Sequence, residues 1–261
     1  MKLAISNIAW TKENDAPMYA YLLQKGFQGL EIAPTRLFLD KPYEHLKEAI
    51  QFSKKLKNNY NLVIPSMQSI WYGRNEAIFG SEKERQALLD YTFQAIIFAE
   101  TIGCKNLVFG CPKNRNITSD KDYVIGIEFF RQLGDYAQQH HTVVALEANP
   151  IIYGTNFLNT TKAAIDFCRE IENKGIGINY DLGTAIYSSE DYHTCLENLD
   201  LINHIHISEP YLAKIERREL HSQLLKALEA GGYDKFVSIE MKTMEHMEDV
   251  YETINYVGDL V

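Results

Sequence analysis

The sequence predicts an α/β protein built as a (β/α)8 TIM barrel. Short apolar runs, often β-branched, alternate with longer segments of helical spacing eight times along 261 residues. The runs lie roughly 27 to 45 residues apart, the size of one strand–helix unit. A third observation argues against the main rival, a doubly wound open sheet. That fold usually places a glycine fingerprint after its first strand, and here the first run leads into Asn7-Ile8-Ala9-Trp10. Gly175-Ile176-Gly177 lacks the third glycine and enters a run instead of leaving one, so it reads as a turn.

In chain order the candidate strands are Leu3–Ile8, Gly29–Ile32, Leu62–Ile64, Asn106–Phe109, Val143–Leu146, Ile176–Asn179, His204–Ile207 and Phe236–Ile239. Near-continuous apolar character suits strands buried on both faces of a parallel sheet. Between them, Glu84–Ile102 places Leu88, Leu89, Phe93, Ile96 and Ala99 along one stripe. Ser81 and Glu84 fit a capping box at its start: the hydroxyl bonds an orphan amide and the carboxylate reaches back. Tyr123–Gln139, Thr161–Glu172, Asp191–Leu201, Leu220–Ala230 and Met247–Val257 read as further helices. Gly26, Gly103, Gly175 and Gly231 stand at helix exits, where a left-handed cap is expected. No Pro/Gly/Ser linker or charge block interrupts the pattern, so residues 1–261 are expected to form a single domain.

Hydrophobic residues make up 46% of the chain, enough for a sizeable core. The net charge of −9 argues against a nucleic-acid partner, which needs clustered Lys and Arg. The N-terminal apolar stretch is too short for a signal-peptide core. No run reaches the roughly 18 residues of a membrane span. Cys104, Cys111, Cys168 and Cys195 form no CxxC pair or zinc-ribbon spacing, which suits reduced thiols in a cytoplasmic protein. Symmetry statistics make a homo-oligomer, most simply a dimer, the expected assembly.

In such a barrel the strand C-termini converge on one mouth, and chemistry sits there. The fifth run ends in Glu147, the sixth in Asp181, the seventh carries His204 and His206, and the eighth ends in Glu240. Acids this close repel one another unless a cation neutralises them. Three carboxylates and one imidazole suit a single divalent ion, Mn²⁺, Mg²⁺, Co²⁺ or Zn²⁺, with positions left for a substrate. Alternation sends His204 and His206 to the same face, so either could be the ligand; His206 is favoured because it lies nearer the mouth.

These residues resemble the xylose-isomerase-like sugar isomerase/epimerase superfamily of TIM barrels. The resemblance spans essentially the whole chain and rests on Leu146-Glu147, Tyr180-Asp181-Leu182-Gly183, His204-Ile205-His206 and Ile239-Glu240. It implies that Glu147, Asp181, His206 and Glu240 hold one metal ion. It also implies that Glu147 and Glu240 flank the substrate as bases. Three positions depart from relatives. Thr184 stands where many members have His, and Tyr153 and Leu212 where ketose 3-epimerases have Glu and Arg. Free ketohexoses are thereby less expected as substrates. A multi-metal abasic-site endonuclease would need further histidines, and the third and fourth strand ends offer Gln68 and Cys111 instead.

The expected chemistry is proton transfer next to a carbonyl of a small sugar-like substrate through an enediolate, with the metal as Lewis acid. Around the ligands, Gln68 and Asn149 are expected to bond substrate hydroxyls, and Trp10 and Trp71 to stack on a sugar face. Arg74, Lys113 and Arg115 are the cations available for an acidic substituent. Glu31 is a further polar candidate, and Glu209 and Tyr211 are candidates to orient His206. Two other functions fit the same residues: a metal-dependent dehydratase or lyase acting on a polyol ketone, and a non-catalytic sugar-binding barrel.

Overall fold

The computed structural model describes residues 1–261. In chain order it contains β1 (Lys2–Ser6), α1 (Asp15–Gln24), β2 (Gly29–Glu31), α2 (Pro34–Leu37), α3 (Leu46–Tyr60), β3 (Ser66–Met67), α4 (Glu82–Ile102), β4 (Asn106–Phe109), α5 (Asp120–Gln139), β5 (Val143–Glu147), α6 (Thr161–Ile171), β6 (Ile176–Asp181), α7 (Leu182–Ser188), α8 (His193–Leu196), β7 (Ile202–Ser208), α9 (Glu219–Ala230), β8 (Phe236–Glu240) and α10 (Met247–Gly258). Eight parallel strands pair in the order β2-β1-β8-β7-β6-β5-β4-β3. Single bridges, Gly29 to Val63 and Ile32 to Met67, join β2 to β3 and nearly close the barrel. The architecture is the expected TIM barrel.

The third strand is displaced from its expected place. Leu62–Ile64 contributes only the Val63 bridge, and the ladder to β4 runs through Ser66 and Met67. Pro65 lies between them and has no N–H to donate, so pairing to β2 breaks there and resumes at Ser66. The segment Asp191–Leu201 is also not one helix. Only His193–Leu196 is helical. The chain then continues in tight turns, with the Asn198 N–H on the Cys195 carbonyl at 3.1 Å and the Leu201 N–H on the Asn198 carbonyl at 2.9 Å, before the Leu201 carbonyl joins the barrel ladder by accepting the Ile178 N–H at 2.9 Å. The chain instead forms α7 immediately after β6, where Asp181 caps it by accepting the Thr184 N–H at 2.7 Å.

The capping box of α4 is present: Glu84 N–H donates to Ser81 Oγ at 3.3 Å, and Ser81 N–H to Glu84 Oε2 at 2.8 Å. Gly103 ends that helix in the left-handed region, as expected. Gly175 does not serve as a cap. Glu172 takes the left-handed turn after α6, and a Cβ on Gly175 would stand 1.9 Å from the Gly134 carbonyl oxygen. Its glycine permits α5 to touch the start of β6. Gly231 is likewise helical in conformation, and Gly232 takes the positive φ.

Inside the helix ring, 64 buried residues make one contiguous apolar cluster. Phe109 on β4 packs edge-on to Phe130 of α5 at 4.8 Å between centroids, the favourable arrangement for aromatic quadrupoles. This packing fixes the strands whose ends form the mouth. No helix is long and apolar enough to cross a membrane. All four cysteines are free thiols.

Candidate metal centre

β5, β6, β7 and β8 are adjacent in the barrel, so their last residues share one rim. Register sharpens this. Between β6 and β7 the pairing steps from Ile178–Ile202 to Asn179–His204, which leaves Asn203 as an extra residue on β7. The bulge brings His206 opposite Asp181. Ligand atoms of Glu147, Asp181, His206 and Glu240 then all lie within 4.8 Å of one another. His206 Nδ1 is 3.2 Å from Glu147 Oε1 and 3.1 Å from Glu240 Oε2. His204 sits one step deeper, with Nε2 2.7 Å from Ser238 Oγ, and belongs to the cluster with Glu31 and His206 instead.

Neighbouring groups hold Glu147 and Asp181 in place. Glu147 Oε1 accepts from Asn179 Nδ2 at 2.7 Å, and Oε2 from Asn149 Nδ2 at 3.2 Å. Asp181 Oδ2 accepts from the Thr184 backbone and has the Thr184 hydroxyl at 2.8 Å; Oδ1 accepts from Ser208 Oγ. Thr184 therefore braces a candidate ligand. The far side of His206 faces Glu31, with 2.9 Å between Nε2 and Oε2.

The electrostatics are strained in the way a cation relieves. Burial, and then the charges of Glu147 and Glu240, push the Asp181 carboxyl up to about 7. Burial alone would lower the His206 pKa, but Glu31 and then Glu240 outweigh it and hold the imidazole well above its ordinary value. His204, by contrast, is pushed well down by burial and then by the charge of His206. Asp181 and His206 thus hold protons that a divalent ion would displace. The donor set of three carboxylates and one imidazole fits such an ion.

The candidate ligands open onto a cavity of about 190 Å³ whose wall includes Glu147, Asp181 and Glu240 together with Gln68 and Asn149. Gln68 spends its amide on Ser6 Oγ at 3.0 Å and accepts from Ser69 Oγ at 2.5 Å. Cys111, Tyr153 and Leu212 supply much of the remaining wall. Tyr153 and Leu212, the two positions that depart from ketose 3-epimerases, therefore face the cavity. A larger depression of about 630 Å³ at the opposite end of the barrel contains none of the four ligands.

Several expected wall residues lie elsewhere. Trp71 is packed in the core: its ring meets Phe109 edge-on at 4.7 Å, and Nε1 donates to Thr92 Oγ1 at 2.8 Å. Trp10 is equally buried and donates to Asp15 Oδ1 at 2.9 Å. Arg74 is paired with Glu76 and lies over the Tyr91 ring. Lys113 is exposed outside the cavity wall. Arg115 is fully buried and donates to the Glu147 carbonyl at 2.8 Å and to Asn149 Oδ1 at 2.9 Å, so it braces the end of β5. No Lys or Arg lines the cavity. Glu209 does not orient His206 either; it forms a two-point pair with Arg218 at 2.7 and 2.8 Å, and Tyr211 is exposed at the rim.

Asn179 and Ser208 were not anticipated. Each lies two residues from a candidate ligand on the same strand, and period-two alternation places them on the same face. Glu31 was legible only as an acid ending a strand.

Among curated proteins, none matches the sequence significantly. Solved structures do resemble it. The 3-keto-D-glucoside 4-epimerase YcjR from E. coli superposes with a TM-score of 0.77 at 21% identity, covering 98% of each chain. A D-psicose 3-epimerase, solved in the presence of D-fructose, gives a TM-score of 0.78 at 14% identity, over 100% of this chain and 96% of its own. The IOLI protein with a bound zinc atom gives 0.72 at 16% identity, over 100% and 96%. At these identities the likeness concerns the fold. The family model described as xylose isomerase-like TIM barrel matches residues 19–257, and the chain belongs to that family.

Proposed function

We propose that this chain is a metal-dependent sugar isomerase or epimerase that moves a proton at a carbon next to a carbonyl. The observation that carries the reading is the convergence of Glu147, Asp181, His206 and Glu240 within 4.8 Å on a cavity open at the barrel mouth. These four would hold one divalent ion, Mn²⁺, Mg²⁺, Co²⁺ or Zn²⁺. When bound, the ion supplies Lewis-acid polarisation of the carbonyl and adjacent hydroxyl. The names of the epimerases sharing the fold support the same reaction class.

Glu147 and Glu240 serve as the proton-transferring bases. Both carboxylates line the cavity beside His206 Nδ1, at 3.2 and 3.1 Å, and the family resemblance supports their acting as bases on opposite faces of a substrate carbon. Asn149 and Asn179 fix the Glu147 carboxylate by one oxygen each, which keeps it aimed at the cavity. An epimerase needs a base on one face and an acid on the other; an isomerase returns the proton to the neighbouring carbon. With no Lys or Arg in the wall, the preferred substrate carries no phosphate or carboxylate. Tyr153 and Leu212 add aromatic and aliphatic surface to the same cavity wall.

The test is solvent exchange. Metal-loaded protein is incubated in D₂O with a panel of ketoses and hydroxy-ketones, and the proton next to the carbonyl is followed by NMR. Loss of that signal with at least one compound is expected, and it should vanish on chelation. A panel in which no member exchanges would overturn the assignment.

A further inference from the structure

Glu31 stands on β2, across the barrel from the ligand strands, and is 0% exposed. A buried carboxylate is costly and normally has a Lys or Arg partner. Glu31 has neither: its ion-pair partners are His206 Nε2 at 2.9 Å and His204 Nε2 at 3.4 Å, and its Oε1 has no hydrogen-bond partner. His204 also has Ser238 Oγ at 2.7 Å, which leaves His206 as the closest group to Glu31. The contact joins residues 175 positions apart and is made by the one nitrogen of His206 that faces away from Glu147 and Glu240.

The geometry points to Glu31 as the positioning residue of the metal centre: by accepting the Nε2–H of His206, it fixes the ring orientation and the tautomer that presents the Nδ1 lone pair to the ion. A neutral imidazole carries one N–H, and the group that bonds it decides which nitrogen is free to ligate. With the proton on Nδ1, the ring would direct an N–H at Glu147 and Glu240 and could not bind metal. Glu31 disfavours that tautomer because its carboxylate is an acceptor only. Its negative charge also makes the ring a stronger donor to the ion. The carboxylate does not itself touch the ion or the substrate.

This inference rests on the metal part of the proposed function, and its test is separate from turnover. Mn²⁺ binding to purified full-length protein is measured by calorimetry for wild type, Glu31→Gln and Glu31→Leu, and the Co²⁺-loaded visible spectrum is recorded for each. Melting of the metal-free proteins reports whether each variant is folded. Gln retains an acceptor oxygen without the charge, whereas Leu removes both. Affinity is expected to fall about 10-fold for Glu31→Gln and about 100-fold for Glu31→Leu, within the range for such outer partners. The Co²⁺ bands should shift in Glu31→Leu and stay close to wild type in Glu31→Gln. Wild-type affinity and an unchanged Co²⁺ spectrum in both variants would overturn the assignment while leaving the proposed function intact. Two ions per wild-type chain, one of them lost in Glu31→Gln, would make Glu31 a ligand and overturn it too. A wild-type chain that binds no metal would overturn both readings.

Discussion

Gly110 stands so close to Glu147 that a Cβ on it would lie 2.8 Å from Oε2 of the carboxylate. It follows β4 directly, and its bare backbone leaves room for the acid at the end of β5. In Gly110→Ala, either the carboxylate moves or β4 does. Overpacking of this kind costs about 1–3 kcal/mol. Because the displaced group is a proposed ligand, most of that cost should appear in metal affinity, as a drop of roughly 10- to 100-fold. Calorimetric titration of wild type and variant with Mn²⁺ checks it. Equal affinities would mean that Glu147 is not a ligand or that β4 yields freely.

Proton and metal compete at the same cup. The folded protein holds the Asp181 proton to about pH 7, whereas the unfolded chain releases it near 3.8. Between those values the folded state binds more protons, so this group's contribution to stability falls as pH rises. His206, raised above 6.5, stabilises fully below that value and loses its contribution as pH climbs through its folded pKa. The metal-free protein thus weakens at this site with increasing pH, and a divalent ion, which needs both groups deprotonated, binds more tightly. His221, pushed down to about 4 by burial and then by Arg218, destabilises the fold in acid but does so with or without metal. The expected result is a gain in Tm on adding Mn²⁺ that is small at pH 5.5 and grows to about 5–10 °C at pH 8 with metal at 100 times its Kd. A gain independent of pH would sink this account.

The Tyr153 hydroxyl accepts the Tyr211 N–H at 2.7 Å, and that turn is unusual. Tyr211 and Leu212 both have left-handed backbone, φ 63° and 52°, without being glycine. Such residues cost of order 1–3 kcal/mol each and persist when their surroundings hold them. Leu212 is held further by its carbonyl, which accepts from Lys242 N–H at 2.8 Å, and its side chain lines the cavity. Tyr153→Phe removes the acceptor and lets the turn relax. Stability should fall by about 1 kcal/mol, and KM for an exchanging substrate should rise several-fold. Metal affinity should remain that of wild type. Loss of metal binding in this variant would tie Tyr153 to the ion and contradict its role as wall.

Which features were legible in the sequence follows from what each feature depends on. β4, β5 and β8 were found almost to the residue because strands buried on both faces are apolar without interruption. The four candidate ligands stood out because each closes or nearly closes such a run. β3 was misplaced because its pairing is divided by Pro65, and a two-residue ladder leaves no pattern. α7 was missed because its cap, Asp181, read as a ligand. Gly175 resembles a cap in sequence because only the approach of Gly134, distant in sequence, explains it. The partner of Glu31 is 175 residues away, so the sequence offered an acid without its imidazole. Trp10 and Trp71 were assigned to the wall because a tryptophan after a strand reads the same whether it meets a sugar or a phenylalanine.

That last ambiguity can be tested at Trp71. Its ring is 3% exposed and lies edge-on to Phe109 and to Phe129, at 4.7 and 6.0 Å. Its Nε1–H donates to Thr92 Oγ1, and that hydroxyl donates in turn to the Leu88 carbonyl at 2.6 Å. Trp71 thus ties the loop after β3 to α4 and fills space between β4 and α5. Truncation to Ala should cost about 3–5 kcal/mol, the range for a buried aromatic. Trp71→Phe keeps most of the packing and loses the hydrogen bond, so stability should fall by less, while KM and metal affinity hold at wild-type values. A substrate-stacking role predicts the reverse: little change in chemical denaturation and a KM raised tenfold or more. Denaturation and kinetics on the Phe variant separate the two, because core packing acts on the unfolding equilibrium and stacking acts on substrate binding.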